Sequence, residues 1–270
     1  MALAHNAIAI DLSRPRPTSR EGAGTPPKRL ARIAGVFYLL VGLFGGFAEG
    51  FVDPKMYVAG DAAATAANLV ANSALVRIGV VAHLVDGAFF SLTALCLYVL
   101  LKHAHKSVAR AMLVFVVIAV GIISLNAVFQ FQGLRVATDS SYVTAFGAAG
   151  SNAIVMILLE IQHYGTLAAQ VFFGLWLAPL GYLAYKSGLF PRALGVILVV
   201  ATVSYLVDLL AAFSFPDLAK QIHPSLIIAP AIAEVWMVLY LLVWGVRTPK
   251  SDAHAAGVNA RPQQTQAASI

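Results

Sequence analysis

The sequence predicts an all-α polytopic membrane protein, a bundle of six transmembrane helices with both termini in the cytoplasm. Three observations predict it: six long apolar stretches, an extreme composition, and an uneven distribution of Lys and Arg. Apolar residues make up 60% of the 270 residues and charged residues only 11%, against about 25% charged residues in soluble domains. No soluble core could absorb so much apolar surface.

Each apolar stretch is long enough to cross a bilayer, because about 20 apolar residues in a helix span a hydrocarbon core of ~30 Å. Lipid offers no partner to backbone N–H and C=O groups, so these spans must be helical. The predicted spans are residues 30–52, 76–101, 108–131, 154–185, 193–213 and 226–246. Together they form one transmembrane domain, residues 29–248, between polar tails at 1–28 and 249–270 that we expect to be disordered.

Two connections carry clear local signals. Asp61 precedes a run of good helix formers, which predicts an N-cap and a short helix between the first two spans. Gly188 and Pro191 lie in the tight link between spans four and five, where they end one helix and begin the next. Residues 132–152 are expected to form a long connection between spans three and four.

Lys and Arg predict the orientation, because short basic connections are retained in the cytoplasm. Fourteen of the 18 Lys and Arg residues lie in the two tails, near the adjoining span ends, or in the links after spans two and four. The opposite side holds only Lys55, Arg77, Arg135 and Lys220. Because the basic residues lie at span ends rather than on one face, the net charge of +6 is a topology signal and does not predict nucleic-acid binding.

Four segments carry a resemblance to a known family: RLARIAGVFYLLVGLFGGFAE, DAAATAANLVANSALVRIGVVAHLVD, the basic link after CLYVLLK, and YKSGLFPRALGVILVVATVSYLVD. Together they resemble the bacterial integral-membrane family known as domain of unknown function 4386, over roughly residues 29–247. The resemblance implies a six-helix protein of the bacterial inner membrane. It implies no reaction, so no catalytic residue is assigned.

Polar residues within the spans are the candidates for function, since an ionisable group inside a membrane is costly unless it is paired or faces water. A helix rise of 1.5 Å per residue, measured from the basic end of each span, places these residues in one layer in the outer half of the bundle. The predicted ligand-binding residues are Glu49, His83, Asp86, Asn126, Gln130, Glu160, His163, Asp208 and Glu234.

Two pairs in this layer also suggest a metal site. His83 and Asp86, and likewise Glu160 and His163, are three residues apart and so share a helix face. The second pair has the Glu-x-x-His form that helical bundles use to bind metals in their cores. These four residues are the candidate ligands of a divalent metal, with the alternative that the same polar groups only join helices through hydrogen bonds.

Small residues recur at every fourth position of the first span, at Gly42, Gly46 and Gly50. Such a stripe lets another backbone approach closely, within the bundle or in a second copy of the chain.

Three functions stay open at this level. The polar layer could bind a cation, a proton or a small solute in a transporter-like or sensor-like protein. It could instead hold a metal that activates water in a membrane hydrolase. The third alternative is a non-catalytic scaffold that binds another membrane protein through the glycine stripe.

Reporter fusions test the predicted orientation. Alkaline phosphatase fused at residue 60 or residue 140 should be active, because both positions lie on the side with few basic residues and should be translocated. A fusion that reports from the cytoplasm at either position would contradict the assignment of both termini to the inside.

Overall fold

The computed structural model describes residues 26–247, and within them all regular structure is helical. Almost all of the two predicted disordered tails lies outside the described residues, although Pro27 and Lys28 already belong to the first helix. The helices are α1 (Pro27–Phe47), α2 (Asp53–Met56), α3 (Ala62–Ala71), α4 (Ser73–Leu101), α5 (Lys106–Thr138), α6 (Ser140–Ser187), α7 (Arg192–Ser214), α8 (Pro216–Leu226) and α9 (Ile228–Val243). A π-helical turn, Ala48–Val52, joins α1 to α2.

The prediction of six helices long and apolar enough to cross a membrane is confirmed in the described part of the chain. The cap at Asp61 is also confirmed, because its Oδ1 accepts a hydrogen bond from the Ala64 N–H at 2.8 Å. Gly188 ends α6 with φ +70°, the left-handed conformation that glycine adopts without strain.

The predicted long connection at residues 132–152 is wrong. Helix α5 continues to Thr138, and α6 begins two residues later at Ser140. Asp139 makes this tight junction by accepting a hydrogen bond from the Ser141 N–H at 2.9 Å. That hydrogen bonding holds the pKa of the Asp139 carboxyl below its usual value. The break occurs later, at Gly147, where φ is +72°.

The long helices form a closed ring. Each of α1, α4, α5, α6, α7 and α9 packs on the next in this order, and α9 returns to α1. The ends of the described chain meet on one side, where a Cβ atom added at Gly245 would lie 3.2 Å from the Lys28 carbonyl oxygen. The link between α6 and α7 lies on the same side, since Arg247 N–H donates to the Leu189 carbonyl at 2.9 Å. This is called the terminal side below, and the opposite side, which carries α2, α3 and α8, is called the distal side.

Aromatic rings fill the centre of the ring towards the terminal side. Trp176 contacts Tyr38 and Phe90 edge-on, with ring centroids 5.5 and 5.0 Å apart, and Phe90 stacks on Phe173 at 5.4 Å. Trp176 and Phe90 are fully buried. These four residues, called the aromatic plug below, close the centre of the bundle on this side.

The glycine stripe packs on nothing within the described chain. A Cβ atom added at Gly42, Gly46 or Gly50 would meet no atom within 4 Å, so the expected close packing inside the bundle is wrong. Self-association through this stripe stays a prediction. Close approach occurs instead at Gly181 and Gly195, where a Cβ on either residue would lie 2.7 Å from the carbonyl oxygen of the other.

Alanine substitution tests this close approach. Gly195→Ala should lower the free energy of unfolding by about 1–3 kcal/mol, because the new methyl group forces α6 and α7 apart. Gly42→Ala is the matched control and should not destabilise the protein, since its position is open. Thermal unfolding in detergent measures both, and equal melting temperatures would contradict the packing.

Candidate functional site

One carboxylate joins four of the six long helical segments at the distal end. Asp53, in α2, accepts hydrogen bonds from Gln130 Nε2 at 2.7 Å and Gln162 Nε2 at 2.8 Å. His83 Nε2 lies 3.1 Å from its Oδ2, which makes an ion pair when the imidazole is protonated. The three partners come from α5, α6 and α4 and are all buried. Asp53 with these partners is called the Asp53 cluster.

A second carboxylate is held by two phenols. Glu234 of α9 accepts hydrogen bonds from Tyr38 of α1 at 2.9 Å and from Tyr205 of α7 at 3.0 Å. Each of its oxygens therefore has a donor. A third carboxylate, Asp208 of α7, lies 2.8 Å from Nδ1 of His223 in α8.

Two further carboxylates lack such partners. Asp86 of α4 is 3% exposed, and its Oδ1 is buried with no hydrogen-bond donor among the described residues. The Asp86 carboxylate packs against Gly45, and a Cβ atom added at Gly45 would lie 3.2 Å from the same oxygen. Glu49 lies on the π-helical turn and is only partly exposed. Leaving a charged oxygen buried and unpaired costs more than a hydrogen bond returns. His83 Nδ1 and Gln130 Oε1 of the Asp53 cluster are the other buried side-chain atoms without a partner in the described part of the chain.

The carboxylates line a set of adjoining cavities. The main chamber, about 780 Å³, is lined by Glu49, Asp53, Tyr57, His163 and Tyr205 among others. The inner chamber, about 210 Å³, reaches towards the aromatic plug. It is lined by Val41, Gly45, Gly46, Glu49, Asp86, Gln170, Phe173, Tyr205 and Glu234. Two more cavities, of about 390 and 530 Å³, lie beside Asp208 and α8.

Gln170 lines all four of these cavities, and Tyr205 lines three of them. The chambers therefore adjoin around these two side chains. Gly50, Pro54, His163 and Ile227 at the edge of the main chamber are exposed, which places its mouth on the distal side. Burial raises the pKa of the Tyr57 phenol, and the neighbouring charges of Glu160 and Tyr164 raise it further, so Tyr57 stays a neutral donor near the mouth.

The predicted residues do not all share one level. Tyr38 contacts Glu234 whereas Asp53 contacts His83, and these two residues of the first span are 15 positions apart, about 22 Å of helix rise. The polar groups thus form a column along the bundle axis, in which Glu49, Asp86 and Glu234 line the same inner chamber. The estimate from each basic end assumed straight helices of equal tilt, but the last span is divided into α8 and α9.

Several predicted residues lie outside the chambers. Asn126 donates to Thr166 Oγ1 at 3.4 Å and packs against Gly165, so it joins α5 to α6. Gln130 serves the Asp53 cluster. Glu160 lines none of the four cavities.

The predicted metal ligands His83, Asp86, Glu160 and His163 are not brought together. His83 turns towards Asp53, and His163 stacks on Tyr57 with ring centroids 5.0 Å apart. Within residues 26–247, no three His, Cys, Asp or Glu side chains are grouped so that they could hold a metal ion. A spacing of three residues places two side chains on one face of a helix, but it does not determine whether that face contacts a second helix that carries further ligands.

Asp53, Gln162, Gln170 and Tyr205 were missed by the sequence analysis. Asp53 lies just past the end of the first apolar stretch and was treated as part of a connection. One signal was available: Asp53 follows Glu49 by four residues, a spacing that places two carboxylates on neighbouring positions of one helix face. Nothing in the spacing marks Gln170 or Tyr205.

Comparison with known proteins places the chain among helical proteins without an assigned reaction. Residues 33–245 match the family model described as Domain of unknown function (DUF4386). An uncharacterized protein of Archaeoglobus fulgidus is 27% identical over 146 residues, which cover 54% of this chain and 73% of that protein. No solved structure matches.

Removal of the Asp53 carboxylate tests the cluster. Asp53→Ala should lower the free energy of unfolding by about 3 kcal/mol or more, because three buried donors lose their acceptor. Asp217→Ala is the control, since Asp217 is exposed and pairs only with exposed Lys220, so its melting temperature should stay unchanged. Equal effects of the two substitutions in detergent unfolding would contradict the role assigned to Asp53.

Proposed function

We propose that this protein, which belongs to the Domain of unknown function (DUF4386) family, binds a small organic cation in the main chamber. The description of the family assigns no reaction. In this proposal the chain acts in the membrane as a transporter-like or sensor-like protein. The observation that carries the proposal is the presence of two carboxylates at the chambers: Glu49 and Asp86 line them, and Asp86 Oδ1 is buried with no hydrogen-bond donor from the described protein.

The hydrogen-bond partners of the other carboxylates support a cationic solute. Asp53 and Asp208 each face a histidine, and Glu234 accepts from two phenols. Three of the four Lys and Arg residues on the distal side contact other groups: Lys55 lies over the Phe51 ring at 3.5 Å, Arg77 over the Phe131 ring at 5.8 Å, and Lys220 pairs with Asp217. A positively charged ligand would supply the donors that Glu49 and Asp86 lack.

The walls of the chamber suit an organic cation. Tyr57 and Tyr205 line it, and aromatic faces attract ammonium groups within about 6 Å of the ring centroid. Its volume of about 780 Å³ lies in the usual range for small-molecule sites. His163, which also lines the chamber, would make binding respond to protons.

Orientation and access complete the proposal. Lys and Arg concentrate on the terminal side, which favours a cytoplasmic location for that side and an external location for the mouth of the chamber. The aromatic plug separates the chambers from the terminal side. The solute would thus enter from outside the bacterial inner membrane, and transport would require the plug to open.

Ligand-dependent stability tests the proposal. Butyltrimethylammonium and butylammonium should stabilise the detergent-purified chain, whereas neutral 1-butanol at equal concentration should not. At ten times Kd, binding adds about 1.4 kcal/mol to the free energy of unfolding, or roughly 3–6 °C in melting temperature. Sodium chloride at the same ionic strength corrects for screening.

Two charge-neutralising variants locate the effect. Glu49→Gln should remove the stabilisation, because this carboxylate lines both the main and the inner chamber. Glu160→Gln is the matched control on the same side of the bundle and should respond like the wild-type protein. Stabilisation that survives Glu49→Gln, or that 1-butanol reproduces, would overturn the proposal.

A further inference from the structure

The inner chamber is chemically distinct from the main chamber. Three carboxylates reach it from three different helical segments: Glu49 from the π-helical turn, Asp86 from α4 and Glu234 from α9. Both oxygens of Glu234 already accept hydrogen bonds from tyrosines. Glu49, Asp86 and the amide oxygen of Gln170 supply further hydrogen-bond acceptors in the chamber.

Asp86 supplies an observation independent of the cluster of acids. It is 97% buried, and its Oδ1 has no donor in the described part of the protein although it lies beside the chamber wall at Gly45. Buried polar atoms are paired in the great majority of native structures, and an exception needs an explanation. The Asp86 side chain also lines the inner chamber, where a bound ligand could donate a hydrogen bond to its carboxylate.

The geometry selects the kind of donor. These side chains are not grouped closely enough to hold a metal ion, and hard cations require several oxygens at about 2.0–2.6 Å at once. A primary ammonium group instead offers three N–H donors in three directions, with nitrogen-to-oxygen distances of about 2.8 Å. It can therefore bind to the Asp86 carboxylate through one donor without the close ring of ligands that a metal ion requires.

We propose that the inner chamber binds the primary ammonium group of the solute, with Asp86 as its buried acceptor, while the main chamber holds the rest of the molecule. This inference rests on the proposed binding of an organic cation and narrows it to primary amines. The two chambers share Gly45, Gly46, Glu49, Gln170 and Tyr205, so one ligand can occupy both.

Quaternary ammonium groups would be bound less tightly by this site. A trimethylammonium group has no N–H to donate, so Asp86 Oδ1 would stay buried and unpaired. The wider main chamber, with its aromatic walls, would accept either cation.

The test compares two cations of equal charge on the full chain in detergent. Isothermal titration should give butylammonium an affinity about 10- to 100-fold higher than butyltrimethylammonium, the value expected for hydrogen bonds to a charged group. Asp86→Asn should remove this preference, because the amide keeps the size of the side chain but loses the charge and presents donors of its own.

A second variant tests the site independently, in case Asp86→Asn does not fold. Gly45→Ala would place a methyl group 3.2 Å from Asp86 Oδ1 and should reduce the preference without altering any charge. Gly42→Ala, also in α1 and open on all sides, should keep the full preference.

The outcomes separate the two proposals. Equal affinities of the two cations for the wild-type protein, or a preference that survives both Asp86→Asn and Gly45→Ala, would overturn the ammonium site and leave the binding of an organic cation intact. Absence of binding by both cations would overturn both proposals. Loss of the preference in Asp86→Asn and Gly45→Ala, with its retention in Gly42→Ala, would support the site.

Discussion

The hydrogen bonds to the Asp53 carboxylate are the interaction on which the distal half of the bundle depends. Three buried donors from α4, α5 and α6 converge on it, and each would be left unpaired in an apolar environment without it. By holding the end of the first span against these three helices, Asp53 closes that side of the ring. The main chamber adjoins this cluster and is lined by Asp53 and Gln162 together with residues of the π-helical turn and α7.

The two halves of the bundle have different physical characters as a result. On the terminal side, the rings of Tyr38, Phe90, Phe173 and Trp176 pack against one another in the centre. On the distal side, the polar column surrounds connected cavities. Tyr38 belongs to both halves, because its ring packs in the plug while its hydroxyl binds Glu234. Any movement of the plug would therefore disturb this carboxylate.

The polar residues divide into those that join helices and those that face a chamber with unused hydrogen-bonding capacity. Asp53, Asn126 and Glu234 belong to the first group, since each has partners on other helices. For them the simple structural explanation is sufficient. Glu49 and Asp86 belong to the second group, and they are the residues on which a function can be built. The proposed site is thus smaller than the nine residues selected from the sequence.

The sequence by itself determined the features that depend on short stretches of chain. The lengths of the apolar stretches determine six helices, and Asp61 and Gly188 determine helix ends, because caps and left-handed turns are properties of a few consecutive residues. The long connection at residues 132–152 failed because Asp139 turns the chain within a single residue.

Only the tertiary structure decided which polar groups meet. Spacing along one helix aligns side chains on a face, but their partners depend on the rotation and tilt of the other helices. The Glu-x-x-His pair illustrates the limit: His163 stacks on Tyr57 and Glu160 faces no chamber. Asp53, hidden at the end of an apolar stretch, became the centre of the distal half, because burial and hydrogen bonding in three dimensions assign a carboxylate its role.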